Sequence, residues 1–362
     1  MEKLDLAPTP ANLKAANRLL ARIMDAIRAG VYRRENFFDT PGKTTVRTTF
    51  KAYAEEWRKT LVLERATIRN YGTGLKGWYK HFGDTPLQQV TPADIRKAVA
   101  ARAKEVTGQT LNNHLSPLRA VFAMALADGD IGKDPVAGIK NVRKQKSLPD
   151  PLTAEERDLV VSYLRSRSFL GAEQVANYFE LAFFTGMRPS ELIVLRWGDI
   201  DWRRKKLRVS RARVDGEEKG TKTHTIRDID LGERALATLT RQKVFTFMKG
   251  PEAEIFENPR TGKPWADPQL QRRKHWSPAL RALGIRERDA YQTRHTFATL
   301  LLMGGVNPKW IQKQLGHASL AMLFEVYGTW IDDADGGAEA RKADQVLGAK
   351  LSPNSPADSV NN

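Results

Sequence analysis

Apolar residues recur at helical spacing along most of this chain of 362 residues, and one stretch replaces that spacing with the alternation typical of β-strands. Between residues 49 and 139 the apolar residues form successive stripes, which contain Phe50, Tyr53, Trp57, Ile68, Tyr71, Leu75, Trp78, Leu111, Leu115, Leu118 and Phe122. Such stripes are typical of helices that bury one face, and four helices of this length can close a small domain. The sequence therefore predicts a mainly α fold.

A basic segment that is interrupted by prolines marks the clearest domain boundary. It reads KNVRKQKSLPDPLTAEE, and Thr153 with Glu156 forms a capping-box start for the next helix. Alternating runs at 206–210 and 225–231, around a Gly-rich turn region, predict a small antiparallel β-sheet in the domain that follows. We predict an N-terminal helix and linker at 1–42, a helical domain at 43–146, an α-rich domain at 147–331 and a flexible polar tail at 332–362.

The charge of the chain favours a polyanionic partner. Lysine and arginine total 59 against 42 acidic residues, so the net charge is +17, and the excess is spread along the chain. A folded protein this basic most often binds nucleic acid, although a solvated surface explains each single charge equally well. The side chains that we expect to contact DNA lie on the outer faces of the helical domain and in the linker: Arg65, Arg69, Lys76, Lys80, Arg119, Arg143 and Lys144.

Several classes of function are disfavoured by what the sequence lacks. There are no cysteines, which removes disulfides, thiolate nucleophiles and cysteine-type zinc sites. The six histidines show no metal-ligand spacing, and no acidic cluster indicates a two-metal nuclease. No apolar run approaches the roughly 20 residues that cross a bilayer, and the N-terminus has no signal-peptide layout. We therefore expect a cytoplasmic protein whose reaction on DNA uses no metal or nucleotide cofactor.

A first candidate site lies in the segment TGMRPSEL. Arg188 comes just before a helix that Pro189 is well suited to start. The free amides at that helix end attract an anion, and a guanidinium adds a planar fork that fits phosphate. Glu191 lies one turn further on and can hold the guanidinium in place. This segment therefore predicts a phosphate-binding arginine.

Two further segments, YQTRHTFAT and QLGHASLAMLFEVYG, contain the other candidates. Tyr291, Arg294 and His295 cluster within one helical turn of the first segment. In the second, His317 follows a Leu-Gly pair at a predicted helix end, and Tyr327 comes ten residues later. A tyrosine near the end of a helix usually packs in a core, so Tyr327 on its own is no evidence for catalysis.

Together with the segment GTKTHTIRDIDL, these motifs resemble those of the tyrosine recombinases of the phage integrase family in order and approximate spacing. The resemblance covers nearly the whole chain. It implies a helical, SAM-like core-binding domain and an α-rich catalytic domain with a small antiparallel sheet. Residues 8–38 resemble the end of a phage-type arm-DNA-binding domain, without the small sheet that normally precedes that helix. The implied partners are double-stranded DNA at attachment-type sites, a homotetramer on that DNA, and accessory DNA-bending or directionality proteins.

The resemblance also implies roles for the motif residues. Arg188 and Arg294 correspond to the two arginines that clamp the scissile phosphate. Tyr327 corresponds to the nucleophile, and His317 matches the later histidine of the family. With these neighbours around it, Tyr327 is predicted to be a reagent rather than a packing residue.

Two more positions complete the implied site. Lys222 best matches the β-turn lysine that gives a proton to the leaving oxygen, with Lys219 as the fallback. Tyr291 stands where the family often has histidine. A phenol can donate a hydrogen bond but is neutral at pH 7, so we expect Tyr291 to position the phosphate rather than to transfer protons.

The implied reaction is site-specific strand exchange of the integration or excision type, as in mobile elements. Attack by tyrosine on DNA gives a 3′-phosphotyrosine and a free 5′-hydroxyl, and the ester keeps the bond energy, so no ATP is needed. Two alternatives remain open at this stage. One is a type IB-like enzyme that relaxes DNA by the same chemistry, and the other is a catalytically inactive DNA-binding protein with an architectural or regulatory role.

Overall fold

The computed structural model describes residues 9–32, 37, 48–143, 148–220, 226–334 and 338–347. The chain separates into two compact units, residues 1–145 and 146–362. The border between them falls inside the basic, proline-containing segment. Within the described ranges, no helix is long and apolar enough to cross a membrane.

The first unit begins with helix α1, Pro10–Arg28. The hydroxyl of its N-cap residue Thr9 accepts a hydrogen bond from the Asn12 amide at 3.3 Å, which satisfies one of the free amides at the helix start. The apolar stripe of this helix is exposed, at Leu13, Leu20, Met24 and Ile27. Helix α1 therefore forms, but its apolar face is solvent-accessible in this chain.

Four helices form the core of the first unit: α2 (Phe50–Lys59), α3 (Arg65–Phe82), α4 (Pro92–Arg102) and α5 (Gly108–Ala127). Thr91 starts α4 with a full capping box, in which its side chain and that of Asp94 satisfy each other's backbone amides. The predicted apolar stripes meet in a single core, whose completely buried members include Phe50, Leu75, Trp78, Ile95, Leu111, Leu115, Leu118 and Phe122. A small all-α domain is the result.

The second unit is α-rich as well. Its helices are α6 (Ala154–Arg165), α7 (Ala172–Thr185), α8 (Pro189–Leu192), α9 (Glu233–Thr246), α10 (Gln269–Gln271), α11 (Ser277–Ala282), α12 (Gln292–Met303), α13 (Pro308–Leu315), α14 (Leu320–Ala334) and α15 (Ala338–Leu347). Its strands are β1 (Ile200–Asp201), β2 (Lys206–Val209), β3 (Arg211–Val214), β4 (Glu217–Gly220), β5 (Arg227–Asp230), β6 (Glu257–Asn258) and β7 (Lys263–Pro264). This composition agrees with the predicted fold class.

Helix α7 is the central element of the second unit. It is buried over almost its whole length and packs against α6, α9 and α12. Strands β1, β2 and β5 form one antiparallel sheet in the order β1-β2-β5, and in its register Leu207 of β2 faces Ile229 of β5. Both residues are fully buried, so the sheet closes one side of the main core. Helices α12, α13 and α14 enclose a second, smaller core.

The structure contains a hairpin that the sequence analysis described only as a turn region. Strands β3 and β4 pair antiparallel, with Val214 opposite Glu217. The two residues between them, Asp215 and Gly216, both have positive φ angles, of 55° and 79°. An Asp-Gly pair is one of the strongest sequence signals for a two-residue hairpin turn, because that turn needs a positive φ at both positions. The Asp-Gly pair is therefore the local sequence signal for this hairpin.

The C-terminal segment also differs from the prediction. We predicted a flexible tail from residue 332, but α14 continues to Ala334 and a further helix, α15, occupies Ala338–Leu347. Its sequence, AEARKADQVL, is rich in good helix formers, while the segments next to it contain the glycines and prolines that determined our prediction. Residues 335–337 and 348–362 lie outside the described part of the chain.

Candidate active site

The first part of the site is Arg188 and the carboxylate that holds it. Arg188 is the N-cap residue of α8, as the prediction required, and Pro189 occupies the first helical position. The carboxylate of Glu191 accepts hydrogen bonds from the Arg188 backbone amide at 3.0 Å and from Arg188 Nη1 at 2.9 Å. The guanidinium is therefore fixed at the start of the helix, where its planar, charged group can bind an anion such as phosphate.

Glu191 is bound from the other side by Arg227 of β5, a residue that the sequence analysis did not select. Nη1 and Nη2 of Arg227 donate to the two carboxylate oxygens at 3.1 and 2.7 Å, and its Nε donates to the Gln314 carbonyl at 3.0 Å. Burial by itself would raise the pKa of Glu191, but the hydrogen bonds and charge of Arg227, together with the charge of Arg188, lower it below its usual range. Glu191 is therefore a buried carboxylate that stays charged.

Arg294 links three segments of the second unit. Its side chain is only 1% exposed. Its Nη1 donates to the Gly186 carbonyl at 2.8 Å, and its Nη2 donates to the Leu315 carbonyl at 2.7 Å. Burial lowers the pKa of Arg294 to about 10, so its charge is present at neutral pH. The guanidinium is thereby held between the residues before α8 and the end of α13.

Tyr327 lies in the small core of α12, α13 and α14 and is 1% exposed. Its hydroxyl is 2.7 Å from Nδ1 of His295. The ring of His317 is stacked almost parallel to the ring of Tyr327, with a centroid distance of 6.4 Å and an interplanar angle of 13°. Burial raises the pKa of Tyr327, and the nearby charge of Arg294 opposes that shift in part. The phenol is therefore neutral in this structure.

Both histidines beside Tyr327 are uncharged at neutral pH. Burial and then the charge of Arg294 lower the pKa of His295 to about 4. Burial, Arg294 and Arg188 lower the pKa of His317 to about 3. The Nδ1 atom of His317 is buried and has no hydrogen-bond partner in the described part of the protein. A buried polar atom without a partner is unusual, and it leaves His317 able to bind a group that enters the site.

Family profiles match three successive parts of the chain. The matches are to an arm DNA-binding domain at residues 1–41, the N-terminal SAM-like domain of phage integrases at 54–129 and the phage integrase family at 151–330. Tyrosine recombinase XerC of Rhizobium meliloti strain 1021 is 30% identical over 293 residues, which cover 78% of this chain and 86% of that protein.

The chain belongs to the phage integrase family of tyrosine recombinases.

Two other comparisons extend over most of this recombinase. Prophage integrase IntR of Escherichia coli strain K12 is 28% identical over 371 residues, covering 90% of this chain and 88% of that protein. The crystal structure of a lambda integrase dimer bound to a COC′ core site has a TM-score of 0.65 at 21% identity and covers 93% of this chain and 98% of that chain. This structural similarity concerns the fold, and the predicted fold class is confirmed.

The remaining predicted site residues of the recombinase are distributed as follows. Tyr291 is 37% exposed and lies at the N-cap of α12 rather than inside it, with its ring edge-on to His295 at a centroid distance of 5.3 Å. Lys222 lies outside the described residues, between the end of β4 and the start of β5. Lys219 is in β4, where its Nζ is 4.0 Å from a Glu217 oxygen. The position of the predicted proton donor therefore stays a prediction.

The predicted DNA-binding residues belong to the first unit. Four of them are exposed along α3: Arg65, Arg69, Lys76 and Lys80. The Nζ of Lys80 forms an ion pair with Glu105. Arg119 donates to the Ile139 carbonyl at 2.8 Å and to Asn141 Oδ1 at 2.9 Å, so it holds the chain after α5 in place. Arg143 is exposed, and Lys144 lies outside the described residues.

Proposed function

We propose that this recombinase cuts and rejoins duplex DNA through a 3′-phosphotyrosine bond at Tyr327. One observation carries the proposal: Arg188, Arg294 and Tyr327 come from separate segments and converge on one cluster, in which Arg294 and Tyr327 are buried and Arg188 is partly exposed. Arg294 binds the carbonyl two residues before Arg188, and the neighbouring His295 contacts the Tyr327 hydroxyl. Two arginines and a phenol are the groups that phosphoryl transfer to tyrosine requires.

The roles of the arginines follow from their charge and position. When the Tyr327 oxygen attacks, negative charge grows on the two non-bridging oxygens of the phosphate. Fixed guanidinium groups at Arg188 and Arg294 stabilise that charge without reorganising, which is usually the largest contribution to this kind of catalysis. Glu191 and Arg227 keep Arg188 in position, because they join α8 to β5 and to the end of α13.

The other predicted site residues would act on the leaving oxygen and on the phosphate, and Tyr327 must become accessible to DNA. We propose that Lys222 protonates the leaving 5′ oxygen, that His317 binds the phosphate through its unpaired Nδ1, and that Tyr291 donates a hydrogen bond at the edge of the site. Tyr327 is 1% exposed in this chain. The proposal therefore includes a movement of α14 that exposes the hydroxyl when DNA is bound.

The proposal extends to the partners. Exchange between two duplexes requires four cleavages, so we propose a homotetramer on attachment-type sites, with both units of the chain contacting DNA phosphates. A tetramer bound to a Holliday junction has been solved for lambda integrase. Accessory DNA-bending or directionality proteins complete the proposed assembly, which would act on bacterial DNA in the cytoplasm.

The test uses a suicide substrate, in which the nicked strand loses its 5′-hydroxyl end after cleavage and the adduct accumulates. We expect Tyr327→Phe to bind DNA with unchanged affinity and to form no adduct that survives denaturant. Tyr178→Phe is the matched control, because Tyr178 is a buried tyrosine of the main core, and this variant should keep adduct formation.

Each alternative function gives a different result. An adduct at the wild-type level in Tyr327→Phe would remove Tyr327 from the reaction. Absence of an adduct in the wild-type protein, with DNA binding retained, would favour the inactive DNA-binding protein. Adduct formation and relaxation of supercoiled DNA without strand exchange would favour the relaxing enzyme.

A further inference from the structure

His295 has no role in the site as proposed so far, although it lies within hydrogen-bond distance of the reacting oxygen. Its Nδ1 atom lies 2.7 Å from the Tyr327 hydroxyl, which is a normal distance for a hydrogen bond to a phenol. The two ring centroids are 5.6 Å apart with an interplanar angle of 54°, so the imidazole meets the hydroxyl end of the tyrosine rather than covering its face. This geometry is that of a nucleophile with its base.

We propose that His295 is a further catalytic residue, which accepts the proton of the Tyr327 hydroxyl when that oxygen attacks the phosphate. This inference rests on the proposed function, because it assigns a base to the same nucleophile. In the step, the Tyr327 O–H bond breaks and the proton moves to Nδ1 of His295. The tyrosine oxygen forms a bond to phosphorus, and the bond from phosphorus to the 5′ oxygen breaks. The 5′ oxygen keeps that electron pair and receives a proton from another donor, so the step is balanced.

The position of His295 is fixed by its neighbours in the sequence. It follows Arg294 directly on α12, and Arg294 is held by the Gly186 and Leu315 carbonyls. The same turn of helix therefore presents one group to the phosphate and the next group to the nucleophile. His317 is less suited to this step, because its ring stacks on the ring of Tyr327 at 6.4 Å.

The protonation state of His295 is consistent with this role. Burial, with a contribution from the charge of Arg294, keeps its pKa at about 4, so the ring is neutral and can accept a proton at neutral pH. Bound phosphate would bring negative charge next to Arg294 and would favour the imidazolium form. Proton transfer is therefore expected in the DNA complex and not in the free protein, where burial keeps the phenol neutral.

The experiment separates the proton that leaves Tyr327 from the proton that reaches the leaving oxygen. It measures single-turnover adduct formation on two suicide substrates, one with the natural 5′ bridging oxygen and one with sulfur in its place. A thiolate leaves without protonation, so sulfur bypasses the need for an acid but not the need for a base. His295→Asn is the main variant, because the asparagine oxygen can occupy the position of Nδ1 and accept the hydrogen bond but cannot take the proton.

We expect His295→Asn to slow adduct formation on the oxygen substrate by about 100-fold or more, the range of general-base catalysis. The ratio of the sulfur rate to the oxygen rate should stay near the wild-type ratio. Lys222→Ala is the comparison, and its ratio should rise strongly, because sulfur replaces the acid that this variant lacks. Rate constants, unlike adduct yields, do not depend on the fraction of active protein, so partial misfolding of a variant does not imitate the predicted result.

Three results would overturn the inference. The first is a rate of adduct formation by His295→Asn on the oxygen substrate that is close to the wild-type rate. The second is a rate faster than that of the wild type, which would mean that His295 only holds the Tyr327 hydroxyl in its buried position. The third is a raised sulfur-to-oxygen ratio, which would place His295 at the leaving group. If Tyr327→Phe forms no adduct while one of these results is found, the proposed function stands and only the role of His295 fails.

Discussion

Glu191 shows how single residues determine the arrangement of this site. The side chain is 1% exposed, and yet it contacts two guanidinium groups and one backbone amide. A buried carboxylate is costly without such partners, and removing one partner from a buried pair leaves an uncompensated charge. The interactions of Glu191 therefore make the position of Arg188 depend on Arg227, which lies on a different element.

This dependence gives a prediction for stability. Arg227→Gln should lower the free energy of unfolding by about 3–5 kcal/mol, as for the loss of one partner of a buried ion pair. Arg281→Gln is the control, because the Arg281–Glu287 pair is exposed and should contribute less than about 1 kcal/mol. Urea unfolding, with fluorescence of the second unit as the signal, measures the free energy of unfolding of both variants. Equal effects of the two substitutions would contradict the account.

The same variant changes the dependence on pH. The folded-state pKa of Glu191 is depressed, so its interactions stabilise the protein above the unfolded value of about 4.3. That stabilisation is lost as the pH falls through the folded-state pKa. Without Arg227 the depression is smaller, so the stability of Arg227→Gln should fall less steeply on the acid side than that of the wild type.

Sequence reasoning found some of these residues and missed others for a physical reason. Arg188, Arg294 and Tyr327 were found because they stand in motifs with a fixed order. Arg227 was missed, although it occupies a buried position in the alternation of β5, where Ile229 is the next inward residue. A charged residue at an inward position needs a buried partner, and that signal could have been used. The contact of His295 with Tyr327 joins residues 32 positions apart, and no local pattern encodes it.

At the scale of elements, the turn between α7 and α8 controls the position of Arg294. Gly186 ends α7 with a φ of 62°, and its carbonyl accepts a hydrogen bond from Arg294. A Cβ atom at this position would lie 2.5 Å from Phe297 and 2.8 Å from Leu315. The glycine therefore allows α7 to approach α12 and α13 closely enough for one arginine to connect them.

We predict that Gly186→Ala impairs both folding and cleavage. Left-handed backbone costs a non-glycine residue about 1–2 kcal/mol, and the steric clash adds about 1–3 kcal/mol. Gly284→Ala is the matched control, because Gly284 has a φ of 64° but nothing within 4 Å of an added Cβ. The control should lose only the backbone contribution and should cleave normally. Thermal unfolding and single-turnover cleavage of both variants test this, and equal losses would mean that the packing around Gly186 is not important.

The order of elements could be predicted from the sequence better than their details. The helical stripes, the capping box at Thr153, and strands near the two predicted runs are all present. The hairpin at Asp215 and the helix Ala338–Leu347 were missed, since one depends on a two-residue turn signal and the other lies between segments rich in glycine and proline. Short elements provide little periodicity, so local turn chemistry decides them.

At the scale of the whole molecule, charge and family agree on the partner. The net charge of +17 is spread along the chain, and the chain belongs to a family of recombinases. Binding through many phosphate contacts releases counterions, so affinity for duplex DNA should depend strongly on salt. In the proposed reaction, binding energy from remote DNA contacts would drive the exposure of Tyr327, which is buried in the free protein.

The central claim is that the chain forms a covalent bond to DNA through Tyr327, and mass spectrometry of the trapped adduct tests it most directly. The adduct is digested with protease and nuclease, and the modified peptide is sequenced. We predict a nucleotide attached through its 3′ phosphate to Tyr327, with a free 5′-hydroxyl on the other DNA end. A nucleotide on any other residue, or an attachment through a 5′ phosphate, would contradict the account.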